Sequence, residues 1–82
     1  MTDQYYVYVL RSQKSGYRYI GQTNDLQKRL TEHNAGLTAA TRNQKPYSLE
    51  YSEVYKTRKE AMQRERFLKS GQGREWLNQN VK

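Results

Sequence analysis

Three polar side chains, Arg29, His33 and Glu65, occupy positions where helical periodicity predicts a core-facing residue. Conflicts of this kind between residue type and pattern concentrate at functional sites. An arginine can hold the oxygens of a phosphate, a histidine or tyrosine can move a proton, and a carboxylate can anchor Mg²⁺ or Mn²⁺. Together these groups suffice for the hydrolysis of a phosphodiester bond.

The acidic residues bear on how many metal ions such a site could hold. They are scattered, and no D-x-D or E-x-D pair lies near Glu65. A site with two metal ions normally needs several clustered carboxylates. Cysteine is absent and His33 is the only histidine, so neither a thiolate site nor a multi-histidine site is available. The sequence therefore favours one divalent ion, Mg²⁺ or Mn²⁺.

The charge of the chain suggests its partner. Fifteen Lys and Arg residues against eight Asp and Glu residues give a net charge of +7. Such an excess attracts polyanions and suggests a nucleic acid, most simply DNA. Four basic side chains are candidates for phosphate contact, with solvated surface charge as the alternative: Arg42, Lys45, Arg58 and Lys59.

The first two predicted elements form a hairpin that would position two tyrosines. Tyr5 to Leu10 is a run of aromatic and β-branched residues, which predicts a strand covered on both faces. A short polar turn leads to a second strand from Tyr17 to Gln22. Tyr8 and Tyr19 then lie on neighbouring antiparallel strands.

A helix and a loop are predicted next. The helix extends from about Asp25 to Ala35, with Asn24 as its N-cap, and carries Arg29 and His33 on its inner stripe. Leu37 to Pro46 has no periodic pattern and is expected to be a mobile basic loop.

The remainder predicts a strand and two helices. Tyr47 to Tyr55 alternates with a period of two, which places its tyrosines on one aromatic face. Thr57 begins a capping box for a helix that Gly71 would close, and a last short helix is predicted from Gly73 to Asn80. The order is ββαβαα, an α+β arrangement expected to form one domain over residues 1–82.

The order and spacing of these residues resemble a known family. Tyr6-Val7-Tyr8, then Tyr19-Ile20-Gly21, is similar to the paired motif that names the GIY-YIG nucleases, although Tyr6 replaces the first glycine and Gln22 stands where some active relatives carry lysine. Gly21 completes the second element; a tight strand exit is the alternative reason for it. The resemblance continues in three further fragments: Leu26-x-x-Arg29-Leu30-x-x-His33-Asn34-x-Gly36, Tyr51-x-Glu53 and Ala61-x-x-Arg64-Glu65-x-x-Leu68-Lys69-Ser70.

This resemblance is closest to the small single-domain bacterial members and implies a three-stranded, largely antiparallel sheet flanked by helices. It also implies that Tyr8 and Tyr19 line the site, that Arg29 contacts the scissile phosphate and that Glu65 ligates the metal ion. His33 fills a position where members carry His or Tyr. We favour Tyr8 as the general base, with Tyr19 and His33 as alternatives, and expect Arg29 and the metal to lower the pKa of its phenol.

The function expected from these features is that of a metal-dependent endonuclease acting on DNA, selective for structure and with a role in repair or recombination. A catalytically silent nucleic-acid-binding domain is the main alternative, and a protein whose basic face binds an acidic partner is the third. Glu65 discriminates among them, unless it only pairs with Lys69 on a solvated face. The sequence predicts neither a signal peptide nor a membrane span, so a cytoplasmic location is expected.

Overall fold

The computed structural model describes residues 4–81 of the chain. Its elements are β1 (Tyr5–Ser12), β2 (Arg18–Thr23), α1 (Leu26–Asn34), β3 (Tyr47–Tyr55), α2 (Arg58–Lys69) and α3 (Gly71–Asn80), with a 3₁₀ turn at Arg42–Gln44. The predicted α+β class and the order ββαβαα are confirmed. Over the described residues, no helix has both the length and the apolar character needed to cross a membrane.

The three strands form an antiparallel sheet in the order β2-β1-β3, so β1 is central. Successive side chains of a strand point to opposite faces. Val7 and Val9 accordingly pack in a cluster with residues of α2 and α3, whereas Tyr8 and Leu10 pack in a second cluster with residues of α1. Helices therefore cover both faces, which explains the unbroken apolar run of β1.

A bulge in β3 changes which side of the sheet its tyrosines face. Val9 lies opposite Tyr51 but Leu10 lies opposite Leu49, so Glu50 is an extra residue in β3. Tyr47 consequently packs with the α1-side cluster, while Tyr51 packs on the α2 side. The prediction of one aromatic face along the whole strand is wrong because the extra residue reverses the alternation.

The N-cap of α1 is Asp25 rather than the predicted Asn24. The Thr23 hydroxyl accepts a hydrogen bond from the Asp25 backbone N–H at 3.1 Å, and the Asp25 carboxylate accepts one from the Lys28 N–H at 3.1 Å. Both candidates are residue types that cap helices well. The Thr23 contact places Asp25, and not its neighbour, at the helix entrance.

The junction of α2 and α3 also differs from the prediction. Ser70, not Gly71, ends α2, and its hydroxyl accepts from the Gly73 N–H at 3.2 Å to cap α3. Gly73 is buried, and a Cβ atom there would lie 1.9 Å from the carbonyl oxygen of Phe67 and 2.5 Å from the Cα of Leu68. The two helices can meet this closely only because residue 73 has no side chain.

A charged cluster joins α2 to β3. The Glu53 carboxylate accepts two hydrogen bonds from the Arg64 guanidinium, at 2.9 and 3.0 Å, and one each from the hydroxyls of Tyr51 and Tyr55. Arg64 also stacks 4.7 Å from the ring centroid of Trp76. Burial acts to raise the pKa of Glu53, but these hydrogen bonds outweigh burial and hold its pKa below the ordinary value. The Tyr51-x-Glu53 fragment thus has a structural explanation.

Candidate active site

A buried chain of hydrogen bonds connects three elements. The Tyr8 hydroxyl lies 3.0 Å from Nε2 of His33, and Nδ1 of His33 lies 2.7 Å from the Thr41 hydroxyl. Tyr8 is 1% exposed, and His33 and Thr41 are 0% exposed. Tyr8 comes from the central strand, His33 from the last turn of α1 and Thr41 from the segment before β3. The three side chains therefore form one unit that water does not surround.

Tyr19 lies at the margin of this unit. Its ring centroid is 4.9 Å from that of His33 and 6.3 Å from that of Tyr8. Unlike Tyr8, it is only half-buried. Of the two tyrosines predicted to line the site, Tyr19 is therefore the one with the larger surface available to a substrate.

Gly21 allows Tyr8 to lie across the edge strand β2. The two residues are paired across the strands, and a Cβ atom at residue 21 would lie 2.6 Å from the Tyr8 hydroxyl oxygen and 3.2 Å from the Tyr19 ring. Any side chain here would have to displace both tyrosines. The second glycine of the motif is thus required for close approach and not only for the strand exit.

Arg29 lies one turn before His33 on α1 and remains partly accessible, with 34% of its side chain exposed. Its Nη1 donates to Glu32 at 3.0 Å, and its guanidinium lies beside the Tyr8 phenol. Burial raises the pKa of Tyr8 to about 12, although Arg29 acts in the opposite direction. The expected lowering of the phenol pKa by Arg29 is thus present but smaller than the effect of burial.

The same surroundings have a different effect on His33. Burial, followed by the positive charge of Arg29, lowers its pKa below the ordinary value, and Glu32 opposes this only in part. At neutral pH the imidazole is therefore neutral and the Tyr8 phenol is protonated. The short contact between them joins two uncharged groups, one of which must donate to the other.

Glu65 approaches from the opposite side of the sheet, on α2. It lies between Ala61 and Leu68, both 0% exposed, and 22% of its own side chain is exposed. Burial is the main cause of the raised pKa of Tyr8, and the negative charge of Glu65 adds to it. Oε2 of Glu65 lies 2.6 Å from Nζ of Lys69. The ion pair with Lys69, which the sequence offered as the alternative to metal binding, is therefore present.

The donor atoms around Glu65 fit a weakly coordinated hard cation. Over residues 4–81, no group of three His, Cys, Asp or Glu side chains could hold a metal ion. Mg²⁺, however, is commonly bound by one or two carboxylates together with water and substrate phosphates. Gln22 lines the same cleft as Glu65, and its buried Oε1 has no hydrogen-bond partner. One carboxylate with a neighbouring amide oxygen therefore suits a metal that the substrate helps to hold.

The segment containing Arg42 and Lys45, predicted to be a mobile basic loop, includes a short 3₁₀ turn that the sequence pattern did not indicate. It is anchored by buried Thr41 and by a 2.5 Å hydrogen bond from the Ser12 hydroxyl to the Gln44 carbonyl. Arg42 and Lys45 are both exposed. The segment therefore presents two cations while its inner side contacts His33.

Arg58 and Lys59 lie at the exposed start of α2, where the Arg58 guanidinium is 5.0 Å from the centroid of the Tyr5 ring. They line a shallow cleft with Met62, Gln63 and Arg66. Met62 and Arg66 also line the cleft that contains Glu65. The cleft beside Arg58 and Lys59 thus adjoins the cleft that contains Glu65. Arg42 and Lys45 line neither of these two clefts.

Thr41 and Arg66 were not identified from the sequence. Thr41 contacts His33 across a loop, and nothing in its local pattern signals this. Arg66 follows Arg58 by eight residues, a spacing that returns to a similar side of a helix. That spacing is a signal that could have added Arg66 to the basic surface.

This chain is similar to known proteins in sequence and in structure. The family described as the GIY-YIG catalytic domain matches residues 4–78. A UPF0213 protein of Bacillus licheniformis is 45% identical over 69 residues, covering 83% of this chain and 70% of that protein. One from Bacillus pumilus is 50% identical over 62 residues, covering 74% and 62%. The solution NMR structure of a UPF0213 protein from Bacillus halodurans has a TM-score of 0.57 and 30% identity, covering 93% of this chain and 83% of that one.

Proposed function

Because the chain belongs to the GIY-YIG family of nuclease domains, we propose that it is an endonuclease that hydrolyses phosphodiester bonds in DNA with one Mg²⁺ or Mn²⁺ ion. The observation that carries this proposal is the meeting of two sets of groups at the edge strand β2. Tyr8, Arg29 and His33 approach from the α1 side, and Glu65 approaches from the α2 side. A module that only binds nucleic acid has no use for a carboxylate at this point.

Arg29 is assigned to the scissile phosphate. A guanidinium can contact two phosphate oxygens at once and can neutralise the negative charge that develops during in-line attack. Its partial exposure leaves it accessible to a substrate, and its ion pair with Glu32 fixes the direction of the side chain. The Arg29 guanidinium also lies beside the Tyr8 phenol, so the phosphate would be held beside the hydrogen-bond chain.

Glu65 would hold the metal ion, with Gln22 Oε1 as a further oxygen donor. A divalent ion bound there supplies charge stabilisation for the leaving oxygen. Arg42, Lys45, Arg58 and Lys59 would contact flanking phosphates and add affinity that depends on salt concentration.

Tyr8 and His33 are assigned to proton transfer as a pair. Thr41 can donate its single hydroxyl proton to the Thr38 carbonyl, at 3.5 Å, and it then accepts from Nδ1–H of His33. In that arrangement Nε2 of His33 accepts from the Tyr8 hydroxyl. Because a phenol with a pKa near 12 is a poor base by itself, Tyr8 would take the proton of the attacking water while passing its own to His33.

This pairing predicts a pH dependence. The rate should be constant above the ordinary histidine pKa of about 6.5 and fall on the acid side, as pH passes the lowered pKa of His33, because the imidazolium cannot accept a proton. Single-turnover cleavage measured from about pH 5 to about pH 10 checks this. A rate that keeps rising towards pH 10 would instead follow phenol ionisation and indicate that a tyrosine acts as the base without His33.

The nuclease assignment is tested by incubating the protein with labelled linear duplex, branched and single-stranded DNA, and with RNA. Cleavage should require Mg²⁺ or Mn²⁺, stop on addition of a chelator and return with excess metal. Preference for branched DNA would support structure selection and a role in repair or recombination. Tight, salt-sensitive binding without cleavage under any metal condition would favour the catalytically silent binding domain.

A further inference from the structure

Lys69 lies where two clefts meet beside β2. One cleft is lined by Gln22, Met62, Glu65, Arg66 and Lys69. The other has a volume of about 500 Å³ and is lined by Tyr17, Arg18, Tyr19, Ile20, Lys69 and Arg74. Lys69 is the one residue that these two clefts share, and 52% of its side chain is exposed.

In the first cleft, Lys69 forms an ion pair with the carboxylate that is proposed to bind the metal ion. Its Nζ lies 2.6 Å from Oε2 of Glu65. A metal ion bound directly to that carboxylate would lie close to the ammonium group, and the two cations repel each other. The lysine of this pair is half-exposed and flexible, and ion pairs that water reaches are weak, so Lys69 can leave at small cost.

The second cleft offers Lys69 an alternative anionic partner. It has no acidic lining residue. Arg18 is already engaged there, since it contacts Glu50 at 3.5 Å and donates to Asn78 at 3.1 Å. No ion pair within residues 4–81 involves Arg74, which is exposed. Lys69 and Arg74 are therefore the two cations available to an anion in this cleft.

We infer that Lys69 exchanges Glu65 for a backbone phosphate of the nucleic acid, which it binds together with Arg74 in the cleft formed with β2. The exchange rests on the proposed function, because a metal ion arriving at Glu65 releases the lysine. Tyr17, which is 51% exposed at the end of this cleft, provides a ring against which the bound strand can pack. Metal and nucleic acid would then each favour binding of the other.

The first test measures Mn²⁺ binding without nucleic acid, from the electron paramagnetic resonance signal of unbound Mn²⁺. Lys69→Met should bind Mn²⁺ about two- to fivefold more tightly than the wild type, the effect of losing one exposed competing ion pair. Lys28→Met removes the same charge from an exposed position on α1 and should leave the affinity unchanged. Equal affinities for Lys69→Met and the wild type would overturn the inference and leave the nuclease assignment intact. Retention of Mn²⁺ affinity in Glu65→Gln would overturn both the metal assignment and the exchange.

The second test measures how binding to a fluorescent DNA duplex depends on salt concentration. A chelator is present, so the readout is binding alone and does not require cleavage. In a Glu65→Gln background the lysine is released, so adding Lys69→Met should reduce the slope of log K against log salt by about 0.9, the value for one phosphate contact. Adding Arg74→Met should do the same. In the wild-type background, where Glu65 holds the lysine, Lys69→Met should reduce the slope less. Equal reductions in both backgrounds, or no reduction in either, would contradict the exchange.

Discussion

Replacing Glu65 with glutamine is expected to lower the rate of DNA cleavage at least about a thousandfold while leaving the fold unchanged. The substitution keeps the shape of a side chain that is already partly exposed, so no cavity forms and packing against Ala61 and Leu68 is preserved. It removes the negative charge that would hold the metal ion. Single-turnover cleavage, with circular dichroism to verify folding, measures the two effects separately.

Glu60 provides a matched control on the same helix. It is exposed and occupies helix position N3, where it completes the capping box begun by Thr57 and where glutamine serves equally well. Glu60→Gln should therefore cleave at the wild-type rate. If Glu65→Gln retained cleavage within about tenfold of the wild type, the carboxylate would not be the metal ligand, and the proposed mechanism would lose its central group.

Gly73→Ala is expected to lower the stability of the fold strongly. The new Cβ atom would lie 1.9 Å from the Phe67 carbonyl oxygen, and backbone atoms cannot rotate away as a side chain can. Relief requires α3 to shift against α2, and overpacking of this kind costs about 3 kcal/mol. A domain of this size has a free energy of unfolding of roughly 4–12 kcal/mol, so the change should be evident in thermal or urea unfolding.

Gly71→Ala isolates the cause, because a Cβ atom there has no neighbour within 4 Å. Alanine is the better helix former, so this variant should be as stable as the wild type or more stable by up to about 1 kcal/mol. Similar unfolding midpoints for the two variants would show that the junction adjusts freely, which would contradict the close contact as the reason for a glycine at residue 73.

The elements with strong periodicity could be predicted from the sequence. β3 has the predicted bounds, and β1 continues to Ser12 instead of ending at Leu10. What could not be predicted depends on contacts between distant segments. The bulge at Glu50 is set by pairing with β1, and the contact of Gly73 with Phe67 depends on how two helices pack. Neither leaves a local pattern in the chain.

The residues of the candidate site also divide into those that the sequence indicates and those that only the fold brings together. Arg29, His33 and Glu65 could be proposed from the sequence because each is a polar residue on a stripe predicted to face the core. Their partners could not: Thr41 reaches His33 only through the course of the loop before β3. The direction of the pKa shift of Tyr8 could not be predicted either, because burial and Arg29 have opposite effects whose sizes depend on the folded structure.

β3 is an edge strand, so its outer N–H and C=O groups have no neighbouring strand within the described residues. A regular outer edge is a template onto which a strand from another molecule can add. The extra residue at Glu50 interrupts the spacing of these groups and increases the local twist. An incoming strand could therefore pair with only a short part of β3. The residue that turns Tyr47 towards the histidine thus also protects the β3 edge of the sheet against edge-to-edge aggregation.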